Sequence, residues 1–125
     1  MSIDATLPYD DQNIFAKILR GEIPNQTVYE DEWALAFHDI NPQAPVHVLV
    51  IPRGAYVSWD DFSANGSDGE IAGFVRAVGK VARDLDLVEP GYRLLANIGI
   101  DSHQEVPHLH VHLFGGKPLG PMLAR

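Results

Sequence analysis

Three histidines stand at every second position near the C-terminal end of the chain, in the run His108-Leu109-His110-Val111-His112. Side chains of a β-strand alternate between its two faces, so all three imidazoles should project from one face while the apolar residues between them fill the other. A row of titratable rings costs stability unless each ring has a partner. A plain core strand would carry apolar residues at some of these positions, so the spacing indicates a strand built for chemistry.

Two kinds of chemistry suit such a row. Imidazole binds zinc, but neighbours on one strand face lie roughly 6.5–7 Å apart, too far for three rings to meet one ion without strong bending. The sequence has no cysteine, and Glu105 is the only carboxylate close by. A neutral imidazole is also a nucleophile near pH 7, and neighbouring rings can stabilise phosphoryl oxygens. We favour this nucleophile, with no metal and no cofactor, over metal binding and over a strand of solvent-facing histidines.

A fourth histidine, His47, stands alone in the apolar run from Val46 to Ile51. A single histidine in such a strand is usually a core residue whose hydrogen bonds are satisfied. Beside the histidine row, a residue that fixes a tautomer becomes the better interpretation, because a nucleophilic imidazole must present its lone pair outward.

Periodicity and turn residues predict the elements that position these side chains. A short helix from Ile14 to Leu19 is expected to be capped by Asp11 or Asn13, and a long helix has apolar residues from Ile71 to Leu85. Residues 63–69 are a predicted loop. Strands are predicted at residues 27–30, 33–39, 46–51 and 92–97 and in the histidine run. Five strands and two helices in this order favour an α+β domain with a mostly antiparallel sheet and both helices on one face.

Size and charge narrow the classes of protein. The 125 residues fit a single domain over residues 1–125, with a loose lead-in at 1–10 and a tail at 117–125. The formal net charge of −8 argues against nonspecific binding to nucleic acid or to an anionic membrane. The sequence shows neither a signal-peptide pattern nor a long apolar run, so a cytoplasmic location is expected.

Several motifs together resemble the histidine-triad (HIT) family. The stretch from His108 to Gly116 is similar to the family signature, and residues 35–47 and 49–53 resemble its Hint-like branch of nucleoside phosphoramidate hydrolases. Residues 13–18 and 22–24 are similar too, so the resemblance spans about residues 11–116. It implies the HIT fold and a homodimer in which two five-stranded sheets join into one continuous ten-stranded sheet.

The resemblance also implies roles for individual residues. His110 matches the nucleophile that forms a nucleotidyl-histidine, while His47, His108 and His112 match residues that orient it, bind phosphate oxygens and assist the leaving group. Asp39 matches a carboxylate that accepts hydrogen bonds from ribose hydroxyls, although it also suits a turn. The remaining nucleotide-binding positions are Phe15, Ile18, Phe37, His38, Ile40, Asn97, His103, Gln104 and Glu105.

The chain departs from the family pattern in the loop before the histidine row. His103 stands where many relatives carry glycine, which has more backbone freedom to approach a phosphate. Glu105 stands where some carry serine and adds negative charge near an anionic substrate. These changes are expected to lower or redirect activity, unless His103 itself donates to the phosphate.

The implied activity is hydrolysis of the P–N bond of purine nucleoside 5′-phosphoramidates by double displacement, with a purine nucleotide as the bound ligand. One alternative is hydrolysis of dinucleoside polyphosphates by the same nucleophile. A second alternative is a nucleotide-binding regulatory module whose turnover is incidental. The sequence identifies neither the physiological amine nor the base preference.

Overall fold

The computed structural model describes residues 2–124 and contains a five-stranded sheet with three helices. The elements in chain order are α1 (Ile14–Leu19), β1 (Thr27–Glu30), β2 (Ala34–His38), β3 (Val46–Pro52), α2 (Trp59–Asn65), α3 (Asp68–Asp84), β4 (Arg93–Leu95) and β5 (Val111–Gly115). The strand order is β1-β2-β3-β5-β4, and every neighbouring pair is antiparallel. The predicted antiparallel sheet is confirmed.

The two faces of the sheet are covered by different helices. On β2 and β3, Ala36 and Val50 belong to the core that α3 covers, whereas Phe37 and Leu49 pack with Phe15 of α1. We call these the α3 face and the α1 face. The expectation that the helices share one face is therefore wrong. Both strands carry apolar residues at consecutive positions, which is typical of strands that are buried on both sides.

Helix α2 lies partly in the stretch that the sequence predicted to be a loop. It has seven residues and buries only Phe62, so the sequence shows no apolar periodicity there. The Asn65-Gly66 pair at its end is typical of a loop. Helix α3 begins at Asp68, because Ser67 and Glu70 form a reciprocal capping box there. No helix within residues 2–124 is long and apolar enough to cross a membrane.

The last strand is shorter than the histidine row. Pairing of β5 with β3 begins at Val111, because the backbone N–H of Leu109 donates instead to the carbonyl of Tyr56 at 2.8 Å. Side-chain alternation nevertheless continues upstream of the strand, since Leu109 lies in the core of the α3 face while the ring of His110 contacts Phe15 of α1. The three histidines therefore share one face as predicted, although only His112 lies within β5.

Candidate active site

The structure gathers the four predicted histidines on the α1 face. The ring centroids of His110 and His112 lie 5.1 Å apart, and those of His47 and His112 lie 5.2 Å apart. His108 is 0% exposed, His47 2% and His110 6%. Rings buried this deeply need hydrogen-bond partners, and the partners define what each ring can do.

His110 is held with one nitrogen occupied and the other open. Its Nδ1 lies 2.8 Å from the backbone carbonyl oxygen of His108, and because a carbonyl only accepts, Nδ1 carries the proton. The same peptide unit is fixed at its other end, where the N–H of Leu109 donates to Tyr56. Within residues 2–124 no group forms a hydrogen bond with Nε2 of His110. This atom is accessible from outside and is not buried. Nε2 therefore presents a free lone pair.

His47 and His112 form a hydrogen-bonded pair of defined polarity. The backbone N–H of Gln43 donates to Nδ1 of His47 at 3.1 Å, so neutral His47 carries its proton on Nε2. That nitrogen lies 2.9 Å from Nδ1 of His112 and 3.4 Å from a carboxylate oxygen of Asp39. His112 therefore accepts at Nδ1 and keeps its own proton on Nε2, where it is a donor.

Burial keeps all four rings neutral near pH 7. It lowers the pKa of His108 to about 4 and that of His112 to about 4, with the neighbouring ring of His110 acting in the same direction. Burial also lowers the pKa of His110 and that of His47, against the opposing pull of Asp39. A neutral His110 is the form with a nucleophilic lone pair.

Asp39, His47 and His112 are the one group within the described residues whose ligand atoms lie close enough to hold a metal ion. A metal there would need lone pairs on both imidazole nitrogens that face each other. The proton on Nε2 of His47 occupies that space, and removing it would require the ring to give up the Gln43 hydrogen bond. The donor set suits a hydrogen-bonded pair better than an ion.

The residues of the predicted nucleotide cleft lie beside these rings. Phe15 and Phe37 pack edge to face with ring centroids 5.6 Å apart, and Ile18 is buried with them. Asp39 receives the N–H of Asn41 on one oxygen at 2.8 Å, so it serves in a turn as well as facing His47. His38 and Ile40 at the rim are exposed, and Ile40 is 90% exposed, so it is free to contact a ligand.

The loop before the histidine row is braced by Gln104 from inside. Its amide oxygen accepts from Gly99 at 2.9 Å, and its amide nitrogen donates to the carbonyls of Val57 and Val106 at 2.8 and 3.0 Å. The residue is 1% exposed. The side-chain amide of Gln104, which was predicted to lie at the nucleotide, is thus engaged with backbone groups of the protein. Asn97, which follows β4, is half-buried.

His103 and Glu105 lie exposed on this loop. His103 adopts φ 63°, the left-handed conformation that glycine enters without strain. Its ring bonds to Ser2 at 2.7 Å and lies 3.4 Å from the carboxylate of Glu105. The backbone shape suited to glycine is therefore kept, and the imidazole is tied to the N-terminal segment.

Sequence reasoning missed the groups that hold His108. Its Nε2 lies 2.8 Å from the carbonyl oxygen of Pro52, and its Nδ1 lies 2.6 Å from the hydroxyl of Tyr9. The spacing of residue types cannot reveal a backbone carbonyl as a partner, because every residue has one. Tyr9 falls in the segment expected to be a loose lead-in, where a single aromatic residue after Pro8 was the one available sign.

Comparisons with known proteins identify the family of this chain. The HIT domain family matches residues 20–119. An uncharacterised 13.2 kDa HIT-like protein of Azospirillum brasilense is 64% identical over 117 residues, which cover 94% of this chain and 96% of that protein. The purine nucleoside phosphoramidase of Escherichia coli K12 is 44% identical over 114 residues, covering 91% and 95%.

A solved HIT family hydrolase from Clostridium thermocellum has a TM-score of 0.82 and 41% identity to this chain, covering 92% of this chain and 99% of that one. The chain therefore belongs to the HIT family and is a hydrolase of that family.

Proposed function

We propose that this hydrolase cleaves the P–N bond of purine nucleoside 5′-phosphoramidates through a nucleotidyl-histidine intermediate. The observation that carries the proposal is the fixed tautomer of His110, whose Nδ1–H is held by a carbonyl while Nε2 stays free. The similarity to a purine nucleoside phosphoramidase supports the substrate class.

The reaction is a double displacement at the α-phosphorus. Nε2 of His110 attacks phosphorus, a new N–P bond forms, and the original P–N bond breaks as the leaving nitrogen takes up a proton. Water then attacks the same phosphorus, returns a proton to the site and releases the nucleoside monophosphate with His110 restored. The carbonyl of His108 stabilises the positive charge that Nδ1–H carries in the adduct, and Nε2–H of His112 is a donor for phosphoryl oxygens.

The residues of the predicted cleft next to the histidines suit the rest of the nucleotide. The apolar rings of Phe15 and Phe37 give a purine a surface to pack against. The Asp39 oxygen not used by Asn41 lies 3.4 Å from Nε2 of His47 and has a further lone pair for ribose hydroxyls, for which a carboxylate is a strong acceptor. The apolar residues would also fit a plain core, so the carboxylate beside them is the more specific feature.

A steady-state comparison of two substrates tests the proposal. The protein is assayed with an adenosine 5′-phosphoramidate and with a diadenosine polyphosphate, each with and without EDTA. We expect a higher kcat/KM for the phosphoramidate and no effect of chelation, because the nucleophile is an imidazole. Preference for the polyphosphate would replace the proposed substrate class. Tight nucleotide binding without turnover of either would favour a regulatory module, and loss of activity in EDTA restored by zinc would overturn the nucleophile.

We also propose a homodimer formed across the edge strand β4. Leu94 of this strand is 47% exposed and Val75 of α3 is 55% exposed, and together with Tyr92 and Ile98 they line an apolar groove of about 550 Å³. Pairing of two β4 edges would cover this groove and extend the sheet to ten strands, as edge strands readily allow. Light scattering should give roughly 28 kDa, twice the 13.8 kDa chain. A monomer at micromolar concentration would exclude the dimer.

A further inference from the structure

We propose that Tyr9 is a positioning residue for the nucleophile, acting through the ring of His108. This inference rests on the proposed function for its kinetic consequence, but its structural content concerns the free protein. It assigns a role in the site to the N-terminal segment, which precedes α1 and carries none of the residues of the histidine row.

The hydrogen bonds of His108 have only one consistent arrangement in the neutral ring. The carbonyl of Pro52 can only accept, so Nε2 of His108 carries the proton and Nδ1 carries the lone pair. The hydroxyl of Tyr9, 2.6 Å from Nδ1, must then be the donor. Burial raises the pKa of Tyr9, so the hydroxyl keeps the proton it donates. Both ring nitrogens are therefore held by partners of opposite kind.

The fixed ring determines where the next hydrogen bond points. His108 is 0% exposed and packs edge to face with Tyr9, with ring centroids 5.6 Å apart. Its backbone carbonyl is the acceptor for Nδ1–H of His110 at 2.8 Å. A ring clamped at both nitrogens limits rotation of the His108 side chain and backbone, so the carbonyl stays aimed at His110. Loss of the Tyr9 bond frees one side of that clamp.

Tyr9 is itself tied into the structure by its neighbours on both sides. Upstream, the N–H of Ile3 donates to the carbonyl of Gln104 at 2.9 Å. Downstream, Asn13 caps α1 by accepting from the N–H of Ala16. The segment that bears Tyr9 is thus anchored to the loop before the histidine row and to the helix that covers the α1 face. These two anchors fix the position of the Tyr9 hydroxyl.

The direct test is ¹⁵N NMR of the histidine side chains in the free wild-type protein and in Tyr9→Phe. In the wild type we expect His108 to be protonated at Nε2 and His110 at Nδ1. In Tyr9→Phe the Nδ1 resonance of His108 should move downfield, toward the value of a lone pair without a donor, and His110 should show a mixture of both tautomers. Tyr29→Phe is the matched control, since it removes a hydroxyl bonded to Asp31 on the β1 side of the sheet.

The kinetic arm measures turnover of an adenosine phosphoramidate. Tyr9→Phe should lower kcat roughly two- to tenfold, the range that corresponds to one neutral hydrogen bond, with KM unchanged. Tyr29→Phe should leave both constants unchanged. In a His108→Ala background the Tyr9→Phe change should have no further effect on kcat, because the two residues act through one contact.

The two arms separate the failure of this inference from failure of the proposed function. If the wild type does not cleave phosphoramidates, the proposed function fails, while the NMR spectra still decide whether Tyr9 sets the tautomers. An unchanged His110 spectrum in Tyr9→Phe would overturn the positioning role, even if the Nδ1 resonance of His108 moves. A drop in kcat that persists unchanged in the His108→Ala background would also overturn it, because the effect would then not pass through His108.

Discussion

The two faces of the chain segment from His108 to Leu113 are stabilised by different interactions. On the α3 face, Val111 and Leu113 of β5 pack with Val50 and the apolar stripe of α3, and hydrophobic burial supplies the stabilisation. On the α1 face, the intervening positions of the same chain segment carry histidines. Their burial is tolerated because His108 and His110 each donate a ring N–H to a backbone carbonyl. The second nitrogen of His108 accepts from Tyr9, and Nδ1 of His112 accepts from His47, while Nε2 of His110 stays free.

This difference separates stability from chemistry within a single short segment. Residues of the α3 face can be exchanged for others of similar volume, because packing has little directionality. The histidines of the α1 face depend on which ring nitrogen carries a proton, as the carbonyl of His108 shows by accepting from Nδ1–H of His110. Substitutions on the α3 face should therefore lower stability and spare kcat, whereas substitutions of the histidines should mainly lower kcat.

The largest expected effect is the loss of turnover in His110→Ala. Removing the nucleophile should lower kcat roughly a thousandfold or more, while nucleotide affinity through the cleft survives, since the attacking atom acts mainly in the transition state. The matched control is Leu113→Ala on the other face, which is 0% exposed. It should cost about 2–5 kcal/mol of unfolding free energy with kcat retained. Denaturant unfolding and steady-state kinetics on both variants check this. A His110→Ala variant that keeps its kcat, or a Leu113→Ala variant that loses kcat without losing stability, would refute the separation of stability from chemistry.

Acid should lower the unfolding free energy through the buried histidines of the α1 face. The pKa of His108 is lowered to about 4 in the fold from an ordinary value of 6.5. A lowered histidine pKa favours the neutral folded form, so its contribution is complete above about pH 6.5 and is lost as pH falls toward 4. The loss from His108 alone is at most about 3 kcal/mol. Thermal unfolding from pH 7 to 4.5 should show a falling Tm, and His108→Gln should flatten the slope. An unchanged slope in that variant would contradict the assignment.

The smallest expected effect is that of His103→Gly. The imidazole is exposed and engaged with Ser2, and glycine adopts the observed φ 63° without strain. We expect kcat/KM to change by less than about twofold, because the peptide conformation of the loop is unaffected. Ser2→Ala, which removes the same hydrogen bond from its other end, is the control. A rise or fall of tenfold in His103→Gly alone would show that the imidazole crowds or binds the phosphate.

The sequence predicted the α1 face less completely than the sheet. The order of the predicted strands and helices was sufficient to predict the antiparallel sheet, and the two-residue spacing of the histidine row was sufficient to predict the common face of the rings, because strand period is a local property. The third helix was missed because α2 buries a single large side chain, Phe62. The placement of α1 opposite α3 was missed because residue periodicity does not say which face of a sheet buried on both sides a helix covers.

Within the site, residue types were predictable but protonation states were not. The four histidines and Asp39 were identified by motif and resemblance. The tautomers depend on the carbonyls of Pro52 and His108 and on the N–H of Gln43, which any residue supplies. The resemblance implied that Gln104 binds the nucleotide, but residue type alone did not show that its amide bonds to the backbone carbonyls of Val57 and Val106.

The measurement that tests the central claim most directly is trapping of the covalent intermediate. Wild-type protein is mixed with an adenosine phosphoramidate, quenched rapidly and analysed by mass spectrometry of its peptides. The account predicts a nucleotide mass on the peptide that carries His110, localised to that residue by fragmentation, and no adduct in His110→Ala. An adduct on His108 or His112 instead, or an active His110→Ala enzyme, would contradict it.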